Sequence, residues 1–302
     1  MIKSIVITNH VGDEHKMYLR MPEGSGFLIT SIDGLGPAKA SINTTTIASD
    51  DGSTFTNGRL DNRNIVMKLR FIGQSASDIE KLRLESYKFF SIKKRLKFKI
   101  ETDFRDCYTF GYVESNIPDI FSPESGCQIS IICTNPYFYS TKEMHTKFSG
   151  VYPNFEFPFE NQGLEPALEL GYLYLNRDQN IYYTGDADVG CTIIVECRGF
   201  VENLKVVNKT TGETMTINDD KLEAITGSKL IDGDKLTINT LKGDKTITLL
   251  RNGEIYNVMN ALERHSKWIQ LIRGDNHFPY SVSRGADSLN FSIYNSVLYE
   301  GV

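Results

Sequence analysis

Apolar and polar residues alternate with period two through most of the chain. Ile65, Met67, Leu69 and Phe71 share one side of RNIVMKLRF, and Asn64, Lys68 and Arg70 share the other. Leu96, Phe98 and Ile100 alternate with Lys97, Lys99 and Glu101, and Ile129, Ile131 and Cys133 repeat the pattern in GCQISIICT. A period of two is that of a strand with one face in the core, so each run predicts a half-buried strand. One segment departs from the rule. Ile79, Leu82, Ser86, Phe89 and Phe90 recur at helical spacing behind a Ser77–Glu80 capping box, and cations gather towards Arg95. This predicts one helix that stops between Ser91 and Arg95 and lays its apolar stripe on a sheet.

The second half reads as strand and turn almost throughout. The runs PALELGYLYLN, CTIIVEC, ETMTIN, DKLTINT and DKTITLL are separated by turn signals such as Thr211-Gly212, Asp232-Gly233 and Asn252-Gly253. Short strands with turns at this spacing predict an antiparallel sandwich. A composition break at TNPYFYSTKEMHTKFSG divides the chain into a domain over 1–140 and a second over 141–302. The fold class expected is therefore mainly β. The N-terminal domain is sandwich- or barrel-like with one packed helix, and the C-terminal domain is an antiparallel β-sandwich.

One stretch resists this description. Between SIDGLGPAKASIN and NIVMKLRF lies a polar excursion, read as a long loop, with Asp50, Asp51, Arg59, Asp61 and Arg63 and few apolar residues beyond Ile47, Phe55 and Leu60. So little apolar surface does not offset the entropy of ordering it. The excursion is either disordered or held by something outside its own domain.

Charge and cysteine usage narrow the function classes. With 33 basic and 38 acidic side chains the net charge is −5, so no basic field advertises a nucleic-acid partner. The cluster Lys93–Lys99 reads as a helix end followed by the solvent face of a strand. Five cysteines are odd in number, lie far apart and form no CxxC, which predicts reduced, mostly buried thiols. The first residues lack the apolar core of a secretory leader, and no run of 18 apolar residues occurs, so neither export by signal peptide nor a membrane-spanning helix is expected.

The search for chemistry returns little. Gly34 and Gly36 are closely spaced, but Pro37 follows and no helix N-terminus is there to hold a phosphate. Asp186 and Asp188, with Gly190 and Glu196, miss the calcium-loop spacing by one position. Five dispersed histidines show no zinc-ligand pattern. Glu156 and Glu160 share a strand face, where solvated carboxylates are the common case. Trp268, Phe278 and Tyr280 offer a sugar-stacking surface or, more commonly, a sandwich core. No catalytic, cofactor or metal site is predicted.

The ordered set of segments nevertheless resembles a family. SIDGLGPAKASINTTTIASDDGSTFTNGRLDNRNIVMKLRF, the helix IEKLRLESYKFFSIKK, LKFKIETDFRDCYTFGYVES and ISIICTNPYFYS are similar to the distal tail proteins of long-tailed phages infecting Gram-positive bacteria. FPFENQGLEPALEL, TGDADVGCTIIVE, NKTTGETMTINDDKL and the closing SKWIQLIRGDNHFPYSVSRGADSLNFSIYNSVLYEGV resemble that family's second, galectin-like domain. The resemblance implies a non-enzymatic hub: a ring, usually six-fold, at the end of the tail tube. Such rings meet the tube protein on one side and the tip and receptor-binding proteins on the other. It also implies a virion tail tip, or a related prophage or bacteriocin particle, made in the bacterial cytoplasm. No membrane, sequence-specific nucleic-acid or cofactor partner is implied. In such rings an extended arm reaches the neighbouring subunit, and the excursion near 44–63 becomes that arm. Asp50, Asp51, Phe55, Arg59, Asp61 and Arg63 are its candidate interface residues. The alternative expectation is a carbohydrate-binding module for host surface glycans.

Overall fold

The computed structural model describes all residues except 20, 22–23, 49–50, 120–124, 154–170 and 176–177, and the side chains of 149–153 and 171–175 are likewise not described. Glu156 and Glu160 therefore lie outside the described residues. The chain divides into two compact units, Met1–Lys142 with Leu298–Val302, and Glu143–Val297. The last five residues thus belong to the first unit, where the sequence alone had assigned them to the second.

The first unit is built on one large antiparallel sheet and a separate two-stranded one. The strands of the large sheet are β1 (Ile2–Thr8), β2 (Glu14–Tyr18), β3 (Phe27–Asp33), β6 (Arg63–Phe71), β7 (Arg95–Thr102), β8 (Asp106–Asp119), β9 (Gly126–Cys133) and the start of β10 (Phe138–Lys147), and the small sheet holds β4 (Ala40–Thr45) and β5 (Thr54–Leu60). The pairing order is β2-β1-β7-β8-β9-β6-β3. Strand β8 has three partners, one of them β10 at Tyr108 and Cys107. It pairs β7 through Asp106–Tyr112 and β9 through Tyr112–Asp119, with a bulge between Val113 and Ser115. A bulge bends a strand, which lets one sheet curl around one core. Ile65, Met67, Leu69, Phe98, Ile100, Ile129 and Ile131, from the inward half of each predicted alternation, fill that core together with Ile5 and Ile7 of β1.

Helix α1 (Ala76–Phe89) packs Ile79, Leu82 and Phe89 against this core, with Phe90 and Ser86 fully buried. The stripe is the predicted one, but the cap is not. Ser75, not Ser77, starts the helix: its hydroxyl accepts from the Asp78 amide at 3.2 Å and donates to the Asp78 carboxylate at 2.7 Å. The earlier start adds half a turn and brings the Asp78 carboxylate to the positive end of the helix dipole. The helix also ends sooner than predicted, before the cations at Lys93 and Lys94. Beyond it the outward side chains of β7 lie over aromatic rings of β8, Arg95 over Phe110 at 3.9 Å and Lys97 over Tyr108 at 4.4 Å.

The second unit is a sandwich. One sheet runs β13 (Asp178–Tyr183), β22 (Gly274–Ser281), β16 (Lys205–Asn208), β17 (Glu213–Thr216). The other runs β23 (Leu289–Tyr299), β15 (Thr192–Cys197), β18 (Lys235–Asn239), β19 (Thr246–Arg251), β20 (Glu254–Asn257). Two short ladders, β11 (Ser149–Pro153) with β12 (Gly171–Leu175) and β14 (Val189–Gly190) with β21 (Gln270–Leu271), complete it. Tyr280 stacks on Phe291 across the layers, ring centroids 5.1 Å apart, among the buried Ile193, Val195, Leu236, Ile238 and Phe278. The sequence reading missed helix α2 (Asp219–Thr226). Its signals are present but brief: Asn218 caps the Lys221 amide, and Gly227 closes the helix at φ 83°. Eight residues are too few for a helical periodicity to stand out.

All five cysteines are free and buried. Burial pushes the Cys107 and Cys133 thiols up to about 11, and those of Cys127, Cys191 and Cys197 up to about 12, so the thiols are unreactive.

Candidate assembly site

The excursion after SIDGLGPAKASIN is a β-hairpin rather than a loop. Among the described residues strands β4 and β5 pair only with each other, as a two-stranded sheet. Ala40 faces Leu60, Ser41 faces Arg59, Ile42 faces Gly58 and Asn43 faces Asn57; past a bulge, Thr44 faces Phe55 and Thr45 faces Thr54. Every residue of the two strands is exposed except Ser41 and Leu60, which are half-buried. An isolated hairpin is at best marginally stable in water. Cross-strand polar bonds help to set its register: the Asn43 amide donates to the Asn57 side-chain oxygen at 2.5 Å, and the Thr45 and Thr56 hydroxyls are 3.1 Å apart.

The hairpin has two unlike faces. Ser41, Asn43, Thr45, Thr56, Asn57 and Arg59 make a polar one. On the other, Ala40, Ile42 and Leu60 alternate with them, and the Phe55 ring lies over Gly58, 3.5 Å from where a Cβ would stand. Ile42 and Phe55 are each 64% exposed on this face. Ile47, beyond β4, is also exposed. Ile42 and Phe55 thus form a small exposed apolar patch on the hairpin. Ile42 was absent from the sequence-predicted set, although the alternation of ASINTT carries its signal.

The five described residues among the six predicted separate into three groups. Asp51, Phe55 and Arg59 project, exposed, from the hairpin and its connection. Asp50 lies outside the described residues. Asp61 sits at the root, where its amide donates to the Lys39 carbonyl at 2.8 Å and its carboxylate accepts from the Ser41 hydroxyl at 2.7 and 2.8 Å. Arg63 corrects the prediction. It is the first residue of β6, 2% exposed, and its charge is used within its own unit. Its guanidinium donates to the carbonyls of Pro136 (2.7 Å), Gly34 and Gly36 (2.5 Å each) and Glu300 (2.6 Å), and lies 4.4 Å from the centre of the Phe138 ring. Burial lowers its pKa from the ordinary value, and carbonyl dipoles and the ring face compensate. The same bonds occupy the Gly34 and Gly36 carbonyls from within the unit.

The second unit does not assemble the sugar-stacking surface considered from sequence. Phe278 and Tyr280 are core residues, and Trp268 is half-buried beneath the Lys245 ammonium at 5.1 Å. Among the described residues no group of three or more potential metal ligands comes together, and no helix is long and apolar enough to cross a membrane.

Comparison with known proteins places the chain. Residues 20–147 match the family model of a phage tail protein RIFT-related domain, and residues 184–293 match that of a siphovirus-type tail component, C-terminal domain. The chain belongs to the siphovirus distal tail protein family. It is a structural component of the distal tail hub, and its place is the virion tail. The family's fold is also seen in the crystal structure of SPP1 Dit (gp 19.1), described as a paradigm of the hub adsorption apparatus in phages infecting Gram-positive hosts. That structure shares 13% identity and a TM-score of 0.67, over 98% of this chain and 99% of that one. The phage p2 baseplate in its activated conformation is similar at 11% identity with calcium and 12% with strontium, each at a TM-score of 0.49. The matches cover 98% and 97% of this chain, and the same shares of the baseplate chains. No curated protein sequence matches the chain.

Proposed function

We propose that this distal tail protein closes into a homo-oligomeric ring, six-fold as is usual for its family, and that the β4–β5 hairpin is the arm by which each copy grips the next. The carrying observation is the hairpin itself: a two-stranded sheet that pairs with no other strand among the described residues and exposes Ile42 and Phe55 on one face. Gripping a different patch on the neighbour is a heterologous contact, the type that repeats around a ring. The ring joins the tail tube protein to the tip protein and the receptor-binding proteins. Its role is mechanical, without catalysis or a cofactor, and the chain is made in the host cytoplasm before assembly.

The test is removal of Ala40–Leu60 with a short Gly-Ser bridge between Lys39 and Asp61. The expected product is a folded monomer that forms no rings under negative-stain electron microscopy. Rings of normal diameter from the shortened chain would refute the arm.

A further inference from the structure

We infer that Arg63 and the segment Glu300–Val302 position the arm: they clamp its root and so set the direction in which the hairpin leaves the unit. The inference concerns the aim of the arm and rests on the arm reading above only for its consequence in assembly.

The root has little to hold it from within. The outgoing chain, Gly34–Lys39, contains two glycines and a proline, and Gly34 takes φ +86°, a conformation that favours glycine. The backbone hydrogen bond that closes the base is Asp61 amide to Lys39 carbonyl. Below it, three successive carbonyls of the outgoing chain are held by groups from elsewhere. Arg63 takes those of Gly34 and Gly36, and the Val302 amide takes that of Leu35 at 3.1 Å. Gly301 lies so close that a Cβ there would stand 3.2 Å from the Leu35 oxygen and 3.3 Å from Gly36.

The clamp is itself anchored. Arg63 binds the Glu300 carbonyl with the same guanidinium that holds Gly34 and Gly36. Arg105 donates to the Gly301 carbonyl at 2.7 Å and covers the Tyr299 ring at 4.3 Å. Tyr299 and Val302 pack on the core of the first unit. Two arginines therefore tie the end of the sequence to the base of the arm. Aim matters because the lever is long. Six or seven residues at ~3.3 Å each make a reach of about 20 Å, so a tilt of about 10° at the root moves the far end by roughly 3–4 Å, most of an inter-strand spacing.

The test compares the full chain with a chain shortened to end at Tyr299, and with Gly301→Val, which keeps every segment but crowds Leu35 and Gly36. Spin labels at Phe55→Cys and Leu84→Cys, both exposed positions, report the arm-to-body distance by double electron–electron resonance at concentrations where the protein is monomeric. The five native thiols are buried and stay unlabelled. The expected result is one narrow distance distribution for the full chain and a width at least doubled in both variants. Without labels, both variants are expected to need at least tenfold more protein to form rings. An unchanged width in either variant overturns the positioning role, whatever the arm does in assembly. Broadened distributions together with normal rings from the arm-deleted chain refute the arm reading alone and leave the positioning intact.

Discussion

Replacing Ile42 and Phe55 together by serine tests whether the apolar face of the hairpin is the grip. Both side chains are already 64% exposed in the monomer, so the monomer loses almost nothing when they go. The oligomer loses whatever area the neighbour covers. A phenylalanine carries about 150–250 Å², so roughly 130 Å² of Phe55 is open to be covered, about 3 kcal/mol at ~25 cal/mol/Å². By the same rule, covering the open part of Ile42 contributes about 1–2 kcal/mol. If a neighbour covers half of this, each contact weakens by at least ~2 kcal/mol, a factor of roughly 30 in the concentration needed for assembly. Sedimentation velocity across a dilution series reads that midpoint, and a thermal melt of dilute protein reads the monomer. The expected pair of results is a midpoint raised about 30-fold and a melting temperature changed by less than ~1 °C. A midpoint raised less than about threefold refutes the reasoning, and so does a melt lowered by several degrees, since these side chains would then be supporting their own unit.

Two further predictions concern the bodies that carry the arm. In the second unit, Arg251 and Asp234 form a buried ion pair, 8% and 1% exposed, with Arg251 also bound to Ser228 at 2.7 Å and the Lys229 carbonyl at 2.8 Å. Arg251→Met strands the Asp234 carboxylate in the core, at a cost of about 3–5 kcal/mol; differential scanning calorimetry should show the transition of that unit fall by roughly 6–12 °C or more. In the first unit, the Lys16 ammonium, then Lys99 and the Ser4 hydroxyl, hold the Glu101 carboxyl at about 2, well below its ordinary 4.5. A depressed carboxyl stabilises the fold above its unfolded pKa and loses that contribution as pH falls towards the folded one. The stability advantage of the native chain over Glu101→Gln in urea titrations should therefore be full at pH 7 and close between about 4.5 and 2.

Much of the architecture follows from local pattern. The inward residues of β6, β7 and β9, the stripe of α1 and the strand-and-turn rhythm of the second half are all written in periods of two and 3.6, because a residue's side of an element depends only on its position along it. The burial and idleness of the cysteines followed in the same way from their spacing. The exact cap of α1 did not, since Ser75 and Ser77 each head a plausible box and the packing of Ile79 and Leu82 chooses between them. Helix α2 was hidden by its shortness.

The arm shows most clearly where local reading stops. Its polarity and scarcity of apolar residues set it apart from the core in sequence, as a segment either disordered or held from outside its own domain. Whether it is a loop or a hairpin depends on pairing between residues far enough apart that composition is silent, and its one apolar face arises from the register that sets Ile42 opposite Gly58 and brings Phe55 over it. Arg63 is the sharpest case. In sequence it is one more charge at the end of a polar stretch, indistinguishable in kind from Arg59. Only the tertiary structure brings Gly34, Gly36, Pro136 and Glu300 to its guanidinium. A side chain's burial and partners are set by segments up to 237 residues away, and no local pattern encodes a meeting at that distance.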